Sequence, residues 1–304
     1  MKKDLIRIQD LNKEDILHLF DLTDQAKQYT NRFRDALQRK NIGLIFQKPS
    51  NRTRVSFEVG IFQLGGNCIY LGPDEINLGV RESTADVSRT LSRYLNAIVA
   101  RTHSHTDIME LTQNADIPVI NGLSDIYHPC QGLTDIYSIK EKFPDFQNVT
   151  VGYIGDGNNV CHSLLLGCSK IGIHINIATP KGYEPSDDIV QMAKANAQES
   201  GARIAIGYSP QTAVKDVQVI YSDVWVSMGQ EQTSDQKIRD FQGYQVNSEL
   251  ASLASDDYLF MHCLPAHRGL EVTPDVIDSP HSIIFDQAEN RLHTQKSILM
   301  FLFE

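Results

Sequence analysis

Ser50-Asn51-Arg52-Thr53-Arg54 follows a short apolar run and opens an amphipathic stretch. Hydroxyls and guanidinium groups beside the open N–H groups of a first helical turn form a cradle for phosphate or carboxylate. Cations in that turn oppose the helix dipole, each by about 0.3–1 kcal/mol when exposed, so two arginines there predict a bound anion. The Walker glycines are missing. Arg101-Thr102-His103-Ser104-His105 adds further donors. His103 and His105 find no third ligand at a sensible spacing and read as loop residues, not a metal site. In His128-Pro129-Cys130-Gln131 a fixed proline holds two donors, as polarising a carbonyl oxygen requires.

Gly155-Asp156-Gly157 invites a dinucleotide reading. That fingerprint needs a third glycine where Val160 stands and an acidic residue where Ala178-Thr179 stand, so it fails. The glycines read instead as a tight turn presenting Asn158 and Asn159. Asp223-Val224-Trp225-Val226-Ser227-Met228-Gly229 begins a polar stretch that runs through Gln236. In His262-Cys263-Leu264-Pro265, the histidine before and the proline after predict an exposed, reactive thiol.

These clusters need elements to position them. Apolar β-rich runs occupy residues 42–46, 67–71, 97–100 and 118–121, then 149–154, 174–178, 204–207, 217–221, 258–260 and 282–285. Helical patterns alternate with them. Val55, Val59 and Phe62 share one helix face ahead of Gly65-Gly66. Ser83 or Thr84 caps another helix, whose buried stripe is Val87, Leu91 and Leu95. Leu133, Ile136, Tyr137 and Phe143 mark a helix ending before Pro144, and 288–303 is helical with one apolar side. The alternation predicts an α/β protein of two doubly wound parallel-sheet domains, residues 1–140 and 148–287, with the last helix free to pack on either. Each polar cluster falls beyond the carboxyl end of a strand, where such sheets bind ligands, so the expected active site is an inter-domain cleft.

The chain has 304 residues and a formal net charge of −10, so its overall field repels phosphate backbones and anionic lipid. Neither a nucleic-acid nor a membrane partner is expected, and an anionic ligand must be captured by a local nest of donors. No apolar run approaches the ~20 residues of a bilayer span, and charges break up the start of the chain, so a secretory signal is not expected. Five cysteines without a CxxC pair suit a reducing cytoplasm.

These pieces, together with Glu289-Asn290-Arg291, resemble the aspartate/ornithine carbamoyltransferase family in order along essentially the whole chain. The resemblance implies transfer of the carbamoyl group of carbamoyl phosphate to the δ-amine of ornithine, giving citrulline and phosphate without metal or organic cofactor. It implies a carbamoyl-phosphate domain and then an amino-acid domain, with helix 288–304 returning to the first. It also implies a homotrimer, or a multiple of trimers, with sites at subunit boundaries. Ser50, Asn51, Arg52, Thr53, Arg101 and Arg291 would bind carbamoyl phosphate, with Asn77 reaching across a subunit boundary. His128 and Gln131 would hold the carbamoyl end. Asn159, Asp223, Ser227 and Met228 would grip the α-groups of ornithine, and Cys263 with the Leu264 backbone would face the δ-amine.

Chemistry agrees with this division. The leaving phosphate needs cations, and the carbonyl needs donors, which Thr53, Arg101 and His128 can supply. Deprotonating an alkylammonium at pH 7 costs about 4.6 kcal/mol, and Cys263 or Asp223 can take that proton. Asn51 and Asn77 depart from the family pattern, where threonine and glutamine are usual. Putrescine and N-acylated ornithine remain alternative acceptors. Aspartate is disfavoured by Asp223, and a non-catalytic sensor by the intact set Arg52, Arg101, His128, Cys263 and Arg291.

Overall fold

The computed structural model describes residues 3–29, 31–226 and 234–304. Contacts divide the chain into two units, Met1–Thr134 with Glu289–Glu304, and Asp135–Ala288.

The first unit runs α1 (Lys13–Gln28), β1 (Asn41–Phe46), α2 (Asn51–Gln63), β2 (Asn67–Leu71), α3 (Pro73–Ile76), α4 (Thr84–Leu91), β3 (Ala97–Arg101), α5 (His105–Asn114) and β4 (Val119–Leu123). Helix α6 (Pro129–Lys142) begins in this unit and ends in the next. Its four strands are parallel in the order β2-β1-β3-β4. The chain therefore leaves β1 toward one edge and comes back to β3 on the other side, which puts a switch point between β1 and β3. Parallel strands are covered on both faces and read as apolar runs. Ile42, Leu44, Ile45, Phe46, Ile98 and Val99 are accordingly buried completely.

The second unit runs β5 (Thr150–Ile154), α7 (Asn159–Ile171), β6 (His174–Ala178), α8 (Asp187–Ser200), β7 (Ile204–Gly207), α9 (Pro210–Val214), β8 (Val219–Ser222), α10 (Ser234–Asp240), α11 (Ser248–Ala251), β9 (Leu259–His262) and α12 (Pro274–Ile277). Helix α13 (Ile284–Phe303) starts here and ends in the first unit. The five strands are parallel in the order β7-β6-β5-β8-β9, with the switch point between β5 and β8. Gly157 sits just past β5, where a Cβ would lie 2.3 Å from the Pro185 backbone nitrogen, so only glycine fits that crossing.

Three expectations about elements change. The run at 282–285 is not a strand: Ser282 forms one isolated bridge to Phe260, and Ile284 already begins α13. The face of Val55, Val59 and Phe62 is not the buried one; these side chains are 49%, 38% and 80% exposed. Helix α2 buries Thr53, Phe57, Gly60 and Ile61 instead, and Gly60 lets α13 approach closely enough that a Cβ would stand 3.2 Å from Lys296 Cγ. His105 is the first residue of α5, capped by Ser104, and not a loop residue. Among the described residues no helix is long and apolar enough to cross a membrane.

Candidate active site

The first cluster lies at the switch point of the first sheet. Phe46 and Arg101 are level in the pairing of β1 with β3, so the segments leaving both strands start side by side. Ser50 caps α2, its Oγ accepting from the Thr53 N–H at 3.3 Å. That turn draws Thr53 into the interior and leaves Arg52 half-buried and Asn51 exposed. Arg291, on the last helix, donates to Gln131 Oε1 at 2.5 Å and to Thr53 Oγ1 at 3.2 Å. Arg101, His128, Gln131 and Arg291 are all at most 5% exposed.

The electrostatics are those of a site built for an anion. Burial pushes the Arg101 guanidinium down to about 10, and the positive charges of Arg291 and Arg52 push the same way. Its buried Nε finds no hydrogen-bond partner. His128 is held well below the ordinary imidazole range by burial first, then by Arg291, Arg101 and Arg52. The three guanidinium groups repel one another and keep His128 from taking a fourth charge, and a bound dianion would attract all three. Arg54 does not join them. It pairs with Glu58 at 2.8 Å and lies over the Tyr70 ring at 3.6 Å, which removes the dipole argument for one of the two arginines.

His128 gives the ligand-free protein a predictable pH response. An unfolded histidine takes a proton near pH ~6.5, whereas the folded one resists it, so stability falls as pH drops below that value. Thermal unfolding between pH 5 and 8, the range where an unfolded histidine takes up its proton, should show a steeper acid-side loss in the wild type than in His128→Asn. Parallel curves would remove His128 as the source.

The second cluster lies at the switch point of the second sheet. Ser222 pairs with both Ile154 and His262, so the residues that follow these strands emerge together. Asp223 Oδ1 accepts from the Val224 N–H at 2.8 Å and the Cys263 thiol at 2.9 Å, and its Oδ2 accepts from Asn158 Nδ2 at 2.7 Å. Asn158 also caps α7 through the N–H groups of Val160 and Cys161, which fixes its amide. The carboxylate is therefore oriented before any ligand arrives. Burial raises Asp156 despite its ion pair with Lys237 at 2.5 Å.

Cys263, expected to be exposed, is half-buried, and its neighbour His262 lies deeper. That histidine is buried, its Nδ1 accepts from the Leu264 N–H at 2.8 Å, and its Nε2 faces Glu271 Oε1 at 3.4 Å. These contacts hold Leu264 at φ 59°, a left-handed conformation costly for leucine, ahead of a cis peptide to Pro265. Asp223, His262 and Cys263 each bring one ligand atom within 4.8 Å of the others. Of the His262 ring nitrogens, Nδ1 is taken up by the Leu264 N–H, whereas the buried Nε2 has no hydrogen-bond partner.

Of the expected residues, the first unit brings together Ser50, Arg52, Thr53, Arg101, His128, Gln131 and Arg291, and the second brings together Asp223, Cys263 and Leu264. Asn159 occupies the first turn of α7, one residue from the contact that Asn158 makes. Asn77 is exposed and outside the arginine cluster; at φ 41° it ends α3, a position where asparagine tolerates the left-handed backbone better than glutamine. Ser227 and Met228 lie outside the described residues. Sequence reasoning missed Asn158 as a partner of Asp223, although an asparagine just before an apolar helical run is a cap signal. Glu271 carried no comparable signal.

Residues 3–141 match the family described as aspartate/ornithine carbamoyltransferase, carbamoyl-P binding domain, and residues 147–302 match its Asp/Orn binding domain. A Bacillus cereus protein named ornithine carbamoyltransferase is 49% identical over 302 residues, 99% of this chain and 95% of that one. The chain belongs to the aspartate/ornithine carbamoyltransferase family. Solved carbamoyltransferase structures agree. The ornithine carbamoyltransferase from Pyrococcus furiosus superposes with a TM-score of 0.95 at 48% identity, covering 98% of this chain and 96% of that one. The anabolic ornithine carbamoyltransferase from Campylobacter jejuni gives 0.94 at 37% identity, with 99% of each chain covered. Ser50 through Gln131 fall within the carbamoyl-P binding match, and Asn159, Asp223, Cys263 and Arg291 within the Asp/Orn binding match.

Proposed function

We propose that this protein transfers the carbamoyl group of carbamoyl phosphate to the δ-amine of L-ornithine, giving L-citrulline and phosphate. The observation that carries the reading is the set of buried Arg101 and Arg291 with half-buried Arg52, mutually repelling around a neutral His128. Residues 1–140 with 288–304 take carbamoyl phosphate, and residues 148–287 take ornithine. The three guanidinium groups, with Ser50 and Thr53, neutralise the phosphate as leaving group. His128, kept neutral, donates to the carbonyl oxygen without adding a fourth charge, and Gln131 holds the carbamoyl nitrogen.

Asp223 pairs with the α-ammonium group of ornithine through the lone pairs its three donors leave open. The carbonyl of Leu264 and the sulfur of Cys263 receive the δ-amine. The δ-nitrogen lone pair attacks the carbamoyl carbon, the bond to the bridging phosphate oxygen breaks, and phosphate departs with that electron pair and takes up the proton that the nitrogen releases. The driving force resides in carbamoyl phosphate itself.

The reading extends to a homotrimer or a multiple of trimers. Supporting it are the exposed apolar face of Val55, Val59 and Phe62 and the adjoining hollow lined by Ser50, Asn51, Arg54 and Tyr70. Five free thiols suit a reducing compartment, the cytoplasm. The test is product formation from carbamoyl phosphate with ornithine, putrescine, N-acetylornithine and aspartate side by side. Ornithine should exceed each of the others in kcat/KM by at least about 100-fold, the worth of a desolvated ammonium–carboxylate contact. Equal rates with putrescine or N-acetylornithine would refute the assignment of Asp223.

A further inference from the structure

Arg291 and Gln295 are one helical turn apart on α13, and Thr53 and Ser56 are one turn apart on α2, so each pair shares a face. Arg291 Nη2 reaches Thr53 Oγ1 at 3.2 Å. The Ser56 hydroxyl donates to the Arg52 carbonyl at 2.6 Å, so toward Gln295 it can only accept. A guanidinium can only donate. These two constraints fix the amide of Gln295. Its nitrogen donates to Ser56 Oγ at 2.6 Å, and its oxygen accepts from Arg291 Nε at 3.2 Å and Nη2 at 2.8 Å. Gln295 is completely buried.

We infer that Gln295 is a positioning residue that aims Arg291 at the phosphate while leaving its charge intact. This rests on the proposed role of Arg291. The acceptors given above for that guanidinium, Gln131, Thr53 and Gln295, are all neutral. A carboxylate at 295 would preserve both hydrogen bonds to Arg291 and cancel the charge that the leaving group needs. An apolar side chain would keep the charge but leave Nε without its acceptor and Nη2 with Thr53 alone, so the fork would be held less firmly in its plane. The need for a neutral, bifurcated acceptor distinguishes this residue from one that merely fills the helix interface.

Steady-state kinetics of Gln295→Met and Gln295→Glu, together with the Kd for inorganic phosphate, test this. Gln295→Met should raise KM for carbamoyl phosphate and Kd for phosphate by about tenfold, with kcat and KM for ornithine within about twofold of wild type. Gln295→Glu should lose more phosphate affinity than the methionine variant. Ser56→Ala, which leaves Arg291 and Gln295 in place, should shift the same two constants in the same direction by a smaller factor, and it serves if Gln295→Met fails to fold. Unchanged phosphate affinity in the methionine and alanine variants, equal losses toward both substrates, or a glutamate variant at least as good as wild type would each overturn the inference. Arg291→Met separates the two levels. If it leaves phosphate affinity intact, the role of Arg291 itself is wrong; if it weakens phosphate while Gln295→Met does not, only the role of Gln295 is wrong.

Discussion

Replacing Arg101 with methionine should weaken carbamoyl phosphate binding by about 2–4 kcal/mol, while making the ligand-free protein more resistant to heat. The two effects have opposite signs for one physical reason. Without ligand, Arg101 is a buried cation whose Nε lacks a partner and whose neighbours Arg291 and Arg52 repel it. An unbranched apolar side chain of similar length removes that penalty. With ligand, the same charge faces a dianion in a site shielded from water, where charge-assisted hydrogen bonds are strongest. Thermal unfolding with and without carbamoyl phosphate reads both terms at once. The variant should start at a higher melting temperature and gain much less on ligand addition. A lower starting temperature with a full ligand-induced rise would contradict the role given to Arg101.

Asp223→Asn should lower kcat/KM for ornithine by about 2–4 kcal/mol. The loss has two parts. The charge opposite the α-ammonium group disappears, and an amide nitrogen replaces an oxygen that now accepts from Asn158, Val224 or Cys263. Putrescine has no α-amino acid group, so its already poor kcat/KM should change little. If the variant impaired ornithine and putrescine alike, Asp223 would be acting on the δ-amine or on folding, and not on the α-ammonium group.

The strands that carry these residues were readable because parallel strands, buried on both faces, appear as short apolar runs; 42–46 and 97–100 fall within the buried strands β1 and β3. Strand ends were less sharp. Residues 217–221 became β8 at Val219–Ser222, because strand pairing, not hydropathy, decides where a strand begins. The run at 282–285 failed for a related reason. A short apolar stretch fits a strand and the start of a helix equally well, and α13 begins inside it, at Ile284.

The exposed stripe of α2 misled in a more instructive way. Val55, Val59 and Phe62 mark a face that needs covering, but α13 packs instead on Gly60, where a missing side chain permits close approach. An apolar stripe alone does not say which neighbour covers it.

In the site, residue types such as Arg52, Arg101, Asp223 and Cys263 were legible because their chemistry is rare at strand ends. Their supports were not. Glu271 behind His262 and Gln295 behind Arg291 act only through contacts that the fold creates. Asn158 was half legible: its cap role follows from local pattern, whereas its bond to Asp223 links positions brought together by the pairing of β5 with β8.

The central claim is a division of labour, in which the first unit holds the phosphate and Asp223 in the second serves the amino acid. Equilibrium titration of Asp223→Asn protein with carbamoyl phosphate tests it most directly. The account predicts a Kd within about twofold of wild type, as expected for independent sites, even though ornithine turnover has collapsed. A Kd that weakens in step with the loss of kcat/KM for ornithine would contradict it.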